Sequence, residues 1–256
     1  MSTLKETQIT FFTDIGAKKP NSIKYKDTAC PFCDLSQLEE IVDQDGPIIL
    51  VMNKFPVLDK AFQTVLIETD ECDTELSLYS KEHLYRLITF GMKHWKQLKE
   101  SGKYKSVMFF KNHGPLSGGT IRHPHMQIVG LEEVDCQYGW HSSQFDGIPI
   151  WHGNGVVFNI SSEPRAGFYE LNVILENGGD LKQFADCIQT GAHFLLHHFH
   201  RNCSSYNLFF YEKSGIVYVK IMPRFVTSPL FMGYGIQQVA NNISEVAEKI
   251  KNIYYS

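Results

Sequence analysis

The order of apolar runs along this chain is written twice, and that repetition limits the fold more than any other feature. β-rich runs at Pro47 to Met52 and Thr64 to Glu68 come first. They precede residues 81 to 100, where Leu84, Leu87, Ile88, Trp95 and Leu98 recur at helical spacing, with Ser80 available as N-cap and Glu82 in the first turn. Runs at Ser106 to Lys111 and His125 to Gly130 follow. The second half has the same order: Val156 to Ile160, Tyr169 to Leu175, a helical stripe of Leu181, Phe184, Ile188, Leu195 and Phe199, then Tyr206 to Tyr211 and Ile216 to Ile221. The two helices start about 100 residues apart, which predicts a tandem duplication of an α+β unit. The halves are expected at 1–135 and 136–256, joined by the Trp-, Gly-, His- and Asp-rich stretch Cys136 to Asn154. A closing helix with Val239, Ile243, Val246 and Ile250 in register completes the pattern.

At 256 residues the chain can bury a sizeable core, as one large domain or as two small ones fused tightly. With 43% hydrophobic residues, 20% charged and a formal charge of -4, it has an ordinary globular composition and no sign of a nucleic-acid or membrane surface. No stretch approaches the roughly 20 apolar residues of a spanning helix, and Met1-Ser2-Thr3-Leu4-Lys5-Glu6 has no apolar signal-peptide core, so a cytoplasmic location is expected. Cys30, Cys33, Cys72, Cys136, Cys187 and Cys203 are too sparse for a disulfide framework in a chain this long. In a reducing compartment their thiolates are available as metal ligands.

Residues 109 to 130 read as a strand, a glycine-rich loop, and then two histidines entering another strand. In extended chain, alternate side chains share a face, so His123, His125 and Gln127 are expected to project together. Polar residues at a strand end can simply face water. The preceding loop adds to them: Gly114, Gly118 and Gly119 let backbone N–H groups approach a phosphate, with the Ser117 and Thr120 hydroxyls beside them. A phosphate cradle next to an imidazole is what nucleophilic transfer to and from phosphorus requires.

The run Asn112-x-Gly114-x-x-x-Gly118-x-x-x-x-His123-Pro124-His125-x-Gln127 resembles that of the galactose-1-phosphate uridylyltransferase branch of the histidine-triad superfamily, which also includes nucleoside diphosphate sugar phosphorylases and diadenosine tetraphosphate phosphorylases. The resemblance implies an α+β fold of two tandem histidine-triad-like units, antiparallel sheets with packed helices, the first carrying the chemistry. It makes His125 the nucleophile of a covalent nucleotidyl-histidine and Gln127 a hydrogen-bond donor to its phosphoryl oxygens. Hydrolases of the superfamily carry a third histidine at that place, so Gln127 favours transfer to a phosphate-bearing acceptor over release to water. Asn112, Gly114, Ser117, Gly118 and Thr120 then line the phosphate path, although the family's transferases often have Cys-Ser where Gly119-Thr120 stands. Homodimerisation is expected from the family alone.

Cys30-Pro31-Phe32-Cys33 has the spacing that lets two thiolates bind one tetrahedral zinc ion; two free cysteines with no metal are the alternative. In the family, a distant histidine and the first histidine of the His-Pro-His run complete the site. Here these correspond to Cys72, a change of ligand type, and His123, with His113 as the fallback ligand. Such a zinc would fix the strand presenting His125.

Asn53-Lys54-Phe55-Pro56 resembles the family's base- and ribose-holding segment, in which an Asp is common at Lys54, so Asn53 and Phe55 are candidate contacts. A strand-ending turn is the plain alternative. Lys18-Lys19-Pro20 looks like a phosphate-meeting segment or an exposed basic pair. Phe231-Met232-Gly233-Tyr234 resembles the hexose-phosphate segment, giving Tyr234 as a candidate, though Pro229 stands at a family lysine. Val219 to Arg224 is taken as the second half's equivalent of the His-Pro-His run, without histidines, so a single metal site is expected. The helical cluster His193, His197, His198 and His200 reads as solvated or partly buried histidines. The function expected is transfer of a nucleoside monophosphate between a nucleoside diphosphate sugar and a sugar 1-phosphate or phosphate. The alternatives are a zinc- and nucleotide-binding regulatory protein and a dinucleoside polyphosphate phosphorylase or hydrolase.

Overall fold

The computed structural model of the protein describes residues 7–25, 27 and 29–256, the side chain of Gln37 excepted. Met1–Glu6, on which the reading of the N-terminus rests, and Thr28, just before the Cys-x-x-Cys knuckle, lie outside the described residues. Two compact units emerge: one built on residues up to Glu75 with Glu82–Lys111 and Gly118–Gly139, the other on Leu76–Lys81, Asn112–Ser117 and Trp140–Ser256.

The first unit carries α1 (Thr13–Ala17), β1 (Ile41–Asp45), β2 (Ile48–Met52), β3 (Ala61–Ile67), α2 (Lys81–Glu100), β4 (Ser106–His113) and β5 (His125–Leu131). The second carries β6 (Gly147–Gly153), β7 (Val156–Ser161), β8 (Leu171–Leu175), α3 (Leu181–Phe194), β9 (Tyr206–Lys213), β10 (Ile216–Pro223), α4 (Pro229–Tyr234) and α5 (Ile243–Tyr254). Strand order within the first is β1-β2-β3-β5-β4, and within the second β6-β7-β8-β10-β9. Every pairing within them is antiparallel. The duplicated α+β fold expected from the element order is therefore present down to the strand order.

Each helix lays an apolar stripe on its own sheet. Leu84, Leu87, Ile88 and Trp95 of α2 are buried, and the Trp95 indole donates to the Val107 carbonyl of β4 at 3.0 Å. A glycine sits ten residues into each helix where the sheet comes closest. A Cβ on Gly91 would lie 2.6 Å from Cζ of Phe109, and one on Gly191 2.4 Å from Cδ1 of Ile221. Gly91 and Gly191 thus do the same job in the two repeats, letting the helix descend onto the strands.

Three details depart from the sequence reading. The outer strands β1 and β6 were not expected, and β6 lies inside the stretch taken as a connection. Both are edge strands with largely exposed or half-exposed side chains and a register shift, so neither shows clean alternation. Val239 stands before α5, which begins at Ile243, and is 48% exposed. The equivalence of Val219–Arg224 with the His-Pro-His run is also corrected. His125 pairs with Ile67, the last residue of β3, whereas the residue pairing with Leu175, the last of β8, is Val217. The second-unit counterpart of the glycine-rich loop is therefore the Ser214-Gly215 turn, both residues at positive φ, a two-residue hairpin. The corresponding connection between β4 and β5 is longer, 114–124, and ends on the His123-Pro124 turn.

Among the described residues, no helix is long and apolar enough to cross a membrane.

Candidate functional site

β5 starts at His125, so the residues just before it, 114–124, must turn out of β4 and return. His123 is fully buried at the end of this loop, and His125 is 7% exposed. The ring of Phe32 meets both edge-on, with centroids 5.8 Å from His123 and 5.6 Å from His125, so both histidines lie on one side of the chain. Gln127 pairs with Val65 on one side and Phe110 on the other, two residues along β5 and on the face of His125. Phe32 and Leu38 pack in turn on Ile49, Val51, Val65 and Ile67, the apolar floor of the site.

The hydrogen bonds of the two imidazoles define their tautomers. A carbonyl oxygen can only accept, so the ring nitrogen facing it must carry the proton. Nε2 of His123 lies 2.7 Å from the Thr69 carbonyl, leaving the lone pair on Nδ1. Nδ1 of His125 lies 2.7 Å from the His123 carbonyl, leaving the lone pair on Nε2. Burial holds both rings below the usual histidine range, His125 at about 4, with the charges of Lys111 and Lys19 pushing His125 the same way. Both are neutral near pH 7.

The free lone pair of His123 faces sulfur. Nδ1 is 3.5 Å from Sγ of Cys30 and 3.6 Å from Sγ of Cys33, and with Cys72 the four donor atoms lie within 4.8 Å of one another. With Zn–S near 2.3 Å and Zn–N near 2.05 Å, a tetrahedral zinc separates sulfur from nitrogen by about 3.6 Å. The group is of a size and donor type to hold such an ion. Cys72 completes it, whereas the fallback His113 stacks on Tyr206 with ring centroids 5.0 Å apart.

The segment that orients His123 is itself tied down by a pair the sequence reading missed. Glu68 and Lys111 form an ion pair with side chains 0% and 1% exposed. The Glu68 carbonyl accepts from Nε2 of His83 at 2.8 Å, and the Glu68 amide donates to the Pro124 carbonyl at 3.1 Å. The peptides around Glu68 and Thr69 are thereby fixed against the His123-Pro124 turn. A lysine inside the apolar run Phe109-Phe110-Lys111 was the visible signal.

The remaining candidates separate. Asn112, Gly114 and Ser117 belong to the second unit, where Asn207, 2% exposed, donates to Oδ1 of Asn112 at 2.6 Å and to the Ser117 carbonyl at 3.0 Å. Asn207 was also missed, although a buried asparagine between apolar strand residues is a findable signal. Gly114 has φ 83°, and a Cβ there would lie 2.1 Å from the Ser204 carbonyl oxygen; Gly118 has φ 89° with open space where a Cβ would stand. The Ser117 hydroxyl donates to the Gly114 carbonyl at 2.7 Å, and the Thr120 carbonyl accepts from the Ile23 amide at 3.2 Å. Asn53 follows β2, its Oδ1 accepting from the Phe55 amide at 2.9 Å. Tyr234 is 79% exposed at the end of α4. Of the clustered histidines, His193 is half-buried with Nδ1 2.6 Å from the Tyr254 hydroxyl, His197 and His198 are exposed, and His200, also exposed, stands just past the helical segment in extended backbone and not on the helix as expected.

The N-terminal domain of DUF4931, a domain of unknown function, matches residues 11–134, and its C-terminal domain matches residues 139–255. No curated protein matches the chain. Among solved structures, a DUF4931 family protein from Bacillus cereus is 41% identical, covering 85% of this chain and 100% of that one, with a TM-score of 0.77. A uridylyltransferase is 14% identical over 88% of this chain and 91% of its own, TM-score 0.69. An ADP-glucose phosphorylase from Arabidopsis thaliana, solved with bound ADP-glucose, is 16% identical over 94% of each chain, TM-score 0.71. The resemblance to the uridylyltransferase branch thus holds in the fold. With both domains matched and the Bacillus cereus protein covered along its whole length, the chain belongs to the DUF4931 family.

Proposed function

We propose that the protein is a nucleotidyltransferase or phosphorylase that works through a covalent nucleotidyl-His125. The observation carrying this reading is the 2.7 Å contact from Nδ1 of His125 to the His123 carbonyl. It fixes the proton on Nδ1 and leaves Nε2 as a neutral nucleophile, which makes no hydrogen bond to another described residue. Attack by Nε2 on the α-phosphorus of a nucleoside diphosphate sugar forms a P–N bond and expels the sugar phosphate. A phosphate oxygen of the acceptor, a sugar 1-phosphate or inorganic phosphate, then attacks the same phosphorus, the P–N bond breaks, and Nε2 recovers its lone pair. Gln127, on the same face, donates to the phosphoryl oxygens, and Lys19, whose charge acts on His125, offers a cation to the polyphosphate. Gly118 and Thr120, in the same unit as His125, shape the phosphate path, and Asn53 and Phe55 of that unit contact the nucleoside. Zinc on Cys30, Cys33, Cys72 and His123 would hold the His123 end of the turn still. Structural neighbours named as a uridylyltransferase and as an ADP-glucose phosphorylase with bound ADP-glucose support the donor class.

The test is intact-protein mass after incubation with a panel of nucleoside diphosphate sugars, wild type against His125→Ala. A gain of one nucleoside monophosphate in wild type alone, discharged by phosphate or a sugar 1-phosphate, is the expected result. No adduct with any donor on folded, metal-bearing protein sinks the covalent reading in favour of nucleotide binding alone.

A further inference from the structure

The residue immediately before His123 points its charge at the metal group. Nη2 of Arg122 lies 3.9 Å from Sγ of Cys72 and 3.4 Å from a carboxylate oxygen of Asp73, which is 81% exposed. The Arg122 main chain is anchored separately, its amide donating to the buried Ser22 hydroxyl at 2.9 Å. The guanidinium is therefore not needed to hold the turn in place.

Charge counting gives this contact a purpose. His123 offers a neutral Nδ1, because its Nε2 proton is committed to the Thr69 carbonyl. Three thiolates and a neutral imidazole around a divalent ion leave a net charge of minus one, where two thiolates and two imidazoles would leave zero. The excess negative charge resides on the sulfurs, and a guanidinium beside the Cys72 sulfur offsets it. We propose that Arg122 is the outer-sphere counter-charge of a three-cysteine, one-histidine metal centre, and that it slows loss of the metal by stabilising the Cys72 thiolate. This rests on reading Cys30, Cys33, Cys72 and His123 as a metal centre, and not on the nucleotidyl transfer. The same short stretch of chain thus delivers both a ligand and the charge that the third thiolate calls for.

The test measures zinc release from the full-length, zinc-loaded protein to a chromophoric chelator. Arg122→Gln releases zinc about tenfold faster than wild type, the low end of the range for an outer-sphere partner because the guanidinium is partly exposed, and Arg122→Lys falls between. In a Cys72→His background, where the charge excess is gone, Arg122→Gln leaves the rate unchanged. Equal acceleration in both backgrounds, or none in either, overturns the proposal. Ionic strength provides a readout that needs no Cys72 variant. Raising salt from ~0.02 M to ~0.5 M speeds release from wild type towards the Arg122→Gln rate and leaves that variant unmoved. Identical salt dependence of the two proteins also overturns it. A wild-type protein that holds no zinc after loading and dialysis removes the metal reading itself, a result distinct from every rate comparison.

Discussion

His125 donates from its own ring to the main-chain carbonyl of His123, two residues earlier, at 2.7 Å. The acceptor is part of the backbone, so no side-chain substitution can reverse the tautomer. The ring position itself is the sensitive point. His125→Asn is expected to abolish nucleotidylation and lower turnover by at least about 10³-fold, because the nucleophile is lost outright. Metal content, read by atomic emission on the purified protein, stays at the wild-type level. An Asn variant that still gains nucleotide mass would move the chemistry elsewhere.

The Glu68–Lys111 pair is the next point of vulnerability. Both side chains are essentially without solvent contact, so removing one leaves a buried charge with no partner. Lys111→Met should cost about 3–5 kcal/mol in urea unfolding, and the double change Glu68→Leu with Lys111→Met should recover most of that loss. Equal or additive losses would mean that the pair is not coupled.

Two glycines of one loop should respond differently to alanine. At Gly114 a methyl group meets the Ser204 carbonyl oxygen at 2.1 Å on top of a positive φ, whereas at Gly118 only the φ is unfavourable. Gly118→Ala is expected to cost about 1–2 kcal/mol, the left-handed penalty alone. Gly114→Ala should exceed it by at least about 1 kcal/mol because backbone must shift. Denaturant midpoints of the two variants, compared at equal slope, decide the order.

Metal removal should loosen the site from the knuckle side. Cys30 and Cys33 flank Phe32, whose ring rests on both histidines. Chelation, or Cys30→Ser, is expected to lower the melting temperature and to raise amide exchange at residues 29–38 and 69–73 before it affects α3. Uniform exchange across the chain after chelation would deny the metal a local structural role.

Much of the architecture was legible because its signal is local. Leu84, Leu87, Ile88 and Trp95 announce α2 through helical periodicity, and the same stripe from Leu181 announces α3, because a helix packed on one sheet must be apolar along one side. The strands buried on both faces were visible as apolar runs. The edge strands β1 and β6 were not, since exposed and bulged strands keep no alternation.

What the sequence alone determined, then, was the repeated element order, the Cys-x-x-Cys spacing and the alternation of His123, His125 and Gln127, all of which follow from backbone periodicity over a few residues. The tertiary structure decided the rest. Lys111 lies 43 residues from Glu68 and Asn207 lies 95 from Asn112, while Cys72, 51 residues from His123, was reached through the family resemblance and not through local periodicity. Whether such distant side chains meet depends on strand register and on which polar groups burial forces to find partners, and periodicity within one segment carries no information about either.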